Sequence, residues 1–255
     1  MSRDQLQISE AQLSAMTTDL DDLHRSTFPE VLARVADFAY RPSSRRSVLL
    51  GAGGVAVLGA VAACGSSDDT ATPSTSSAAS PTKAAGATYE GDLKIVALAA
   101  ALENLAVTAY GGALAAAGKG TLGTVPKAVA TFIQVAMKQH TDHAAVWNSV
   151  LTKAGKPAVT GAPLSITADQ VAKLGQAKSV GDVATLALNL ENAAAQTYTF
   201  ATANVSDPGG ISVASTIQPV EAMHAAILSF VLGKYPVPDA FVGVSGAVGP
   251  DALTL

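Results

Sequence analysis

Two pairs of side chains in the second half of the chain have types and spacings that suit metal binding. Glu221 and His224 form a Glu-x-x-His pair, and His140 and His143 have the same spacing. Residues three apart lie on one face of an α-helix, so each pair would present its two side chains in the same direction. Carboxylates and imidazoles are common ligands of first-row transition metals. The pattern therefore indicates a metal site built from helices.

A second pair of segments repeats the sequence Leu-Glu-Asn. Glu103 lies in the first and Glu191 in the second, and a tyrosine follows each of them seven residues later, Tyr110 and Tyr198. Positions seven apart share a helix face, and these lie among Leu, Val and Ala that belong to a core. Ionised carboxylates buried without partners are costly, and a bound cation would neutralise them. The candidate metal ligands are therefore Glu103, His140, His143, Glu191, Glu221 and His224.

Four long helices are the elements that would position these residues. Apolar residues recur with a helical period, and no segment alternates convincingly as a strand does. The predicted helices cover 92–117, with Asp92 as the cap, 126–154, 179–204 and 212–232, and a short helix covers 167–174. Pro219 should kink the last helix or loosen the turn before Glu221. The Leu-Glu-Asn segments relate the first helix to the third, and the His-Ala-Ala segments relate the second to the fourth. An all-α bundle of two pseudo-repeated helix pairs, joined by a long crossover, is predicted.

One Glu from each of two helices, with Glu-x-x-His positions on the other two, resembles the ferritin-like di-iron carboxylate proteins. The resemblance covers residues 90–235 and leaves 236–255 as a tail. The Leu-Glu-Asn segments and the stretch Tyr235-Pro236-Val237-Pro238 are most similar to secreted or desiccation-related bacterial members. The resemblance implies that the protein binds one or two iron or manganese ions. By position, the ligands would be Glu103, His143, Glu191, Glu221 and His224. Tyr110 and Tyr198 would form hydrogen bonds near these ligands.

His140 departs from that pattern, because the family has a bridging glutamate at this position. Three carboxylates cancel less of the charge of two divalent ions than four do, so the ferric state should be less favoured. An imidazole also binds end-on through one nitrogen and does not bridge two ions as a carboxylate does. A mononuclear or asymmetric centre that holds zinc or copper is therefore an alternative.

Residues 44–63 resemble a twin-arginine export signal. Arg45 and Arg46 precede an apolar, glycine-rich run to Ala63 that is shorter than the roughly 20 residues of a membrane-spanning helix. The run ends at Cys64 in a sequence similar to a lipobox, whose cysteine carries lipid and becomes the mature N-terminus; a buried or stray thiol is the alternative. Residues 64–89 are then a flexible tether. The prediction is an extracytoplasmic, membrane-anchored lipoprotein, with a permanent transmembrane helix as the alternative.

The remaining features concern the N-terminal extension and the surface. Residues 1–43 have helix-like spacing of apolar residues, and we expect His24, beside Asp21 and Asp22, on a solvated polar face. The net charge is −4 and only 14% of residues are charged, so no basic surface for nucleic acid exists. Ala-rich helices with few charges predict apolar faces that pack in a small homo-oligomer, a dimer rather than a cage.

Three functions fit these observations. The first is an envelope-anchored metal oxidoreductase in which ferrous or manganous ions react with oxygen or peroxide. The second is a metal-binding or stress-protection lipoprotein without turnover, which the histidine at 140 favours. The third is a helical interaction module with a vestigial metal site.

Overall fold

The fold was analysed in a computed structural model, which describes residues 8–38 and 89–255. The predicted all-α class is confirmed, since these residues form helices and no strand, apart from one isolated bridge between Leu164 and Leu253. The helices are α1 (Glu10–Phe38), α2 (Asp92–Gly118), α3 (Lys127–Lys153), α4 (Thr167–Gln176), α5 (Val180–Asn204) and α6 (Pro208–Val231), followed by a 3-10 turn at Pro250–Ala252. The predicted signal at 44–63, Cys64 and all but the last residue of the tether lie outside the described residues.

The helix ends follow local capping signals in some places and not in others. Ser179 caps α5 as its type predicts, with its hydroxyl accepting from the backbone N–H of Asp182. The last long helix begins at Pro208 rather than 212, because the Asp207 carboxylate accepts from the N–H groups of the two glycines that follow Pro208. Pro219 lies within α6 and does not end it.

Asp92 was expected to cap α2, and this was wrong. The N-cap residue is Gly91, and no side chain caps the helix. The Asp92 carboxylate instead accepts from the backbone N–H groups of Ser206 and Asp207, each at 3.0 Å. It therefore ties the start of α2 to the loop between α5 and α6.

The four long helices pack as two hairpins. α2 packs along α3, α5 packs along α6, and α2 also contacts α5. On the opposite side, the backbones of α3 and α6 lie apart, and α1 packs along both helices, although side chains of α3 and α6 meet in the interior. α1 and residues 89–255 form one compact unit, and the buried side of α1 carries Leu13, Leu20, Val31 and Val35.

The crossover and the C-terminal tail cover the α2–α5 side. Asn148 on α3 holds the crossover, since its side-chain oxygen accepts from the Val159 N–H at 2.7 Å. The tail bonds to α5, where the Val248 N–H donates to the Thr197 hydroxyl at 2.8 Å. α2 is long and apolar enough to cross a membrane, but more than half of its apolar window is buried inside the protein. Burial in the bundle accounts for the apolar character of α2.

Candidate metal centre

Six predicted ligand residues converge in the middle of the bundle. α2 contributes Glu103, α5 contributes Glu191, and α3 and α6 contribute two residues each. None of the six residues is more than 2% exposed. The helical spacing that predicted a common face thus places Glu103, His140, His143, Glu191, Glu221 and His224 in one interior cluster.

The cluster consists of two groups of four that share His140 and Glu221. The first group adds Glu103 and His143, and the second adds Glu191 and His224. Within each group, one donor atom from every residue lies within 4.8 Å of the donor atoms of the other three. The arrangement offers two adjacent positions for cations, with two residues able to contact either.

His140 lies between the two glutamates of the Leu-Glu-Asn segments. Its Nδ1 is 2.7 Å from Glu103 Oε2 and its Nε2 is 3.1 Å from Glu191 Oε1. Burial favours the neutral ring, but the carboxylates of Glu221 and Glu191 outweigh it and raise the pKa of His140 well above its usual value. In the metal-free protein, this ring is therefore a cation that donates to both glutamates, in the place where a metal charge would lie.

Glu221 and His143 provide the test of whether a metal fits. Both Glu221 oxygens and His143 Nδ1 are buried without a hydrogen-bond partner. His143 Nδ1 lies 3.1 Å from Glu221 Oε1, but the two atoms do not form a hydrogen bond. Buried polar atoms are nearly always paired in native proteins. A cation between these atoms would satisfy all three, so the donor set fits a metal ion.

Opposite charges stabilise each other inside the first group. Burial would lower the pKa of His143, but the Glu103 carboxylate outweighs it and raises that pKa to about 9. Burial would raise the pKa of Glu103, but His143 and His140 outweigh it and lower that pKa to about 2. The histidines must lose these protons before they bind a metal.

Each of the two tyrosines donates a hydrogen bond to the glutamate of the opposite hairpin. Tyr110 on α2 donates to Glu191 on α5, and Tyr198 on α5 donates to Glu103 on α2. Burial and the neighbouring carboxylates raise the pKa of both phenols well above the usual value, so both remain donors. The two sides differ in one respect: the Nε1–H of Trp147 donates to the Tyr198 hydroxyl at 2.7 Å.

His24 does not lie on a solvated face, as had been expected. Only 6% of it is exposed; its Nε2 is 3.3 Å from Asp142 Oδ2, and its ring centroid is 5.3 Å from that of His143. Burial and the charge of His143 lower the pKa of His24 to about 4, so the ring is neutral. The partners come from α3, which is more than a hundred residues away along the chain, and local sequence carries no signal for such a contact.

Gln139 is a functional candidate that sequence reasoning missed. It is completely buried; its Oε1 lies 2.8 Å from His224 Nε2, and its Nε2 donates to the Leu20 carbonyl on α1 at 3.4 Å. Because Gln139 accepts from His224 Nε2, the Nδ1 atom of that ring faces Glu191 at 3.3 Å. Gln139 thus orients the ring of a candidate ligand in the way that partners of metal-bound histidines do.

A cavity of about 30 Å³ reaches the cluster from the α2–α5 side. Glu103, His140 and Glu191 line its inner end, and small side chains including Ala194 line its wall. Ile166 from the crossover and Val248 from the tail also border it. A space of this size holds roughly one or two water-sized molecules.

Comparison with known proteins agrees with this geometry. Residues 91–234 match the family model of the ferritin-like domain, which is more than half of the chain and contains all six converging residues. Searches of curated proteins and of solved structures gave no significant match.

Proposed function

The chain belongs to the ferritin-like domain family, and from that premise we propose that it binds one or two iron or manganese ions and oxidises them with oxygen or peroxide. One observation carries the proposal: two buried four-residue groups share His140 and Glu221, and three of their polar atoms have no partner in the metal-free protein. Buried polar atoms without partners are costly, and a bound cation would satisfy these three.

Each residue has a definite role in this proposal. Glu103 and His143 would hold one ion, Glu191 and His224 would hold the other, and Glu221 lies within reach of both positions. When bound, ferrous ions supply one electron each, so that two of them, with two protons, reduce hydrogen peroxide to two water molecules. His140 holds Glu103 and Glu191 in the metal-free protein and would have to lose its proton before it could bind a metal.

The tyrosines and the cavity support the same reaction. Tyr110 and Tyr198 hold one oxygen of Glu191 and of Glu103 and leave the other oxygen of each facing the histidines. The cavity beside Glu103, His140 and Glu191 is large enough for a small oxidant. The oxidant would therefore approach from the α2–α5 side.

Metal binding without turnover is the second candidate, and His140 favours it. A centre with three carboxylates and three imidazoles suits zinc or copper as well as iron or manganese. The bonds from His140 to Glu103 and Glu191 also form a network that is stable without metal. A helical interaction module with a vestigial metal site would retain the same network.

Metal analysis and aerobic oxidation of ferrous ions separate these functions. Protein purified and reloaded with iron, manganese or zinc is compared with Glu221→Gln, and Glu90→Gln, at an exposed position, is the matched control. Bound iron or manganese with oxidation supports the oxidoreductase, and bound metal without oxidation supports the binding protein. Absence of metal from the unmodified chain, or equal metal content in Glu221→Gln, would refute the site.

Export and anchoring belong to the same proposal. The Arg45-Arg46 pair, the short apolar run and Cys64 support a lipoprotein held at the outer side of the membrane, like secreted members of the family. Replacing both arginines by lysine should stop export, and Cys64→Ala should release the protein from membranes. Unchanged fractionation of Cys64→Ala would refute the anchor.

A dimer is the proposed assembly, supported by the Ala-rich helices and the low charge of the chain. Light scattering on detergent-free protein tests it, and a clean monomer would contradict it.

A further inference from the structure

We propose that α1 is a removable cover of the metal centre, which seals the α3–α6 side of the bundle and is lost with the leader when the chain is cut before Cys64. The inference rests on the export and metal binding proposed above. It assigns a role to residues 10–38, which lie outside the matched family domain.

The first argument is the position of α1. α3 and α6 carry four of the six cluster residues; their side chains meet in the interior, but their backbones lie apart. α1 packs on both helices and buries Leu13, Thr17 and Leu20 near one end and Val31 and Val35 near the other. The spacing of these residues is that of one continuous apolar seam along a helix. α1 therefore closes the side of the bundle that the two hairpins leave open.

The second argument is direct contact with the cluster. The His24 ring lies against the His143 ring, with centroids 5.3 Å apart. The Leu20 carbonyl holds Gln139, which in turn holds His224. Departure of α1 would uncover His143 and release the residue that orients His224. α1 thus contacts His143 directly and His224 through Gln139.

The third argument is that α1 is held mainly by this apolar seam and not by polar links. Its described polar links to the bundle beyond the centre are few: Arg34 donates to Ser212 at 2.8 Å and to Thr216 at 3.3 Å, and Glu10 accepts from the Ala128 N–H at 3.5 Å. The outer side of α1 leaves Leu23 and Leu32 exposed. The matched domain, 91–234, begins long after α1 ends.

The order of segments along the chain determines what happens to α1 during export. α1 precedes Arg45 and Arg46, and the bundle follows Cys64. Cutting before Cys64 separates α1 from the bundle, and a membrane between the two would prevent any contact. The centre is then closed in the precursor and accessible in the exported protein, so that metal or oxidant reaches His143 mainly after export.

The test uses the chemical reactivity of histidine in the metal-free, full-length chain. All four histidines of the chain are buried under α1 or beside the glutamates. Diethyl pyrocarbonate modifies accessible imidazoles, and mass spectrometry of peptides gives the rate for each one. Leu20→Asp places a carboxylate in the seam, whereas Leu23→Asp, on the exposed side of the same helix, is the matched control.

In Leu20→Asp, a carboxylate buried without a partner strongly favours the state in which α1 is detached. His24 and His143 should then react at least about tenfold faster than in the unmodified chain when both are measured at the same mildly alkaline pH. His140, held between two glutamates, should change little, and Leu23→Asp should match the unmodified chain. Unchanged His143 reactivity, when hydrogen exchange shows α1 detached, would overturn the proposal. Equal acceleration of His140 would also overturn it, because α1 would then be an integral part of the bundle.

Two further measurements keep the outcome clear. Arg34→Ala removes only a polar link at the rim, so it should accelerate His143 in the same direction but less, even if Leu20→Asp does not fold. Zinc loaded into the chain should transfer to a chelator faster in both variants than in Leu23→Asp. A chain that binds none of zinc, iron and manganese would refute the metal site, while the histidine rates still decide on the cover. Retention of residues 10–38 in the membrane-anchored protein, seen in its intact mass, would refute removal.

Discussion

Replacing Tyr198 by Phe should destabilise the metal-free protein more than replacing Tyr110 by Phe, although both hydroxyls donate to buried glutamates. The Tyr198 hydroxyl donates to Glu103 and also accepts from the Nε1–H of Trp147 at 2.7 Å. Loss of a hydrogen bond to a charged acceptor costs about 1.5–3 kcal/mol, and a buried N–H left without an acceptor adds about 1–3 kcal/mol. Trp147 is only 2% exposed, so water does not readily replace the hydroxyl.

Tyr110→Phe removes only the bond to Glu191. The same oxygen, Glu191 Oε1, keeps His140 Nε2 at 3.1 Å, and among the described hydrogen bonds no donor is stranded. Its cost is therefore about 1.5–3 kcal/mol, and the difference between the two variants about 1–3 kcal/mol. Urea unfolding of the metal-free proteins measures both free energies of unfolding, provided that the dependence of the free energy on urea concentration is the same in both variants.

The reasoning also predicts the origin of the difference. In a chain that carries Trp147→Phe, the stranded N–H no longer exists, so Tyr198→Phe should cost about as little as Tyr110→Phe. Equal destabilisation by the two tyrosine variants in the unmodified chain would refute the assignment of the Trp147 hydrogen bond.

Three other predictions concern protons, charge and access. Metal affinity should rise from pH 6.5 to about 9, because His143 must lose its proton, and competition titrations measure this. In the metal-free protein, the raised pKa of His143 stabilises the fold below pH 6.5, and this contribution is lost as the pH rises through about 9. The lowered pKa of Glu103 stabilises the fold above pH 4.5, and this contribution is lost as the pH falls through about 2. The midpoint of urea unfolding should therefore be highest at pH 4.5–6.5, where both contributions are present. His140→Glu should increase retention of a second iron, measured by elemental analysis, and loss of all metal would instead make His140 a ligand of a different centre. Ala194→Leu should fill the cavity and slow ferrous oxidation at unchanged metal content, while Ala115→Leu on an exposed helix position should not; equal rates would exclude this route for the oxidant.

Helical periodicity and repeats were sufficient to predict the bundle, because they depend on local geometry. Residues three or seven apart share a helix face whatever the tertiary structure, so Glu103 with Tyr110, and Glu221 with His224, had to point the same way. Membership of the ferritin-like family, predicted from these segments, is confirmed. Local caps were predicted where no tertiary partner competed, as at Ser179.

Contacts between distant segments were not predictable from the same signals. Asp92 looked like a cap but bonds to the loop before α6. His24 looked solvated because its own neighbours are acidic, and only the packing of α1 on α3 buries it. Gln139 carries no motif, and its role follows from partners on two other helices.

The exchange of tyrosines between the hairpins has a consequence for how such a centre arises. Each hairpin holds the phenol that the carboxylate of the other requires, which is the reciprocal contact of a symmetric homodimer. An α2–α3 hairpin alone would lack both partners, and two identical copies would restore both. In such a dimer every substitution occurs twice. Joined in one polypeptide, the halves diverge independently, so that position 140 is an imidazole while its counterpart Glu221 remains a carboxylate, and Trp147 is paired by sequence with an aliphatic Leu228.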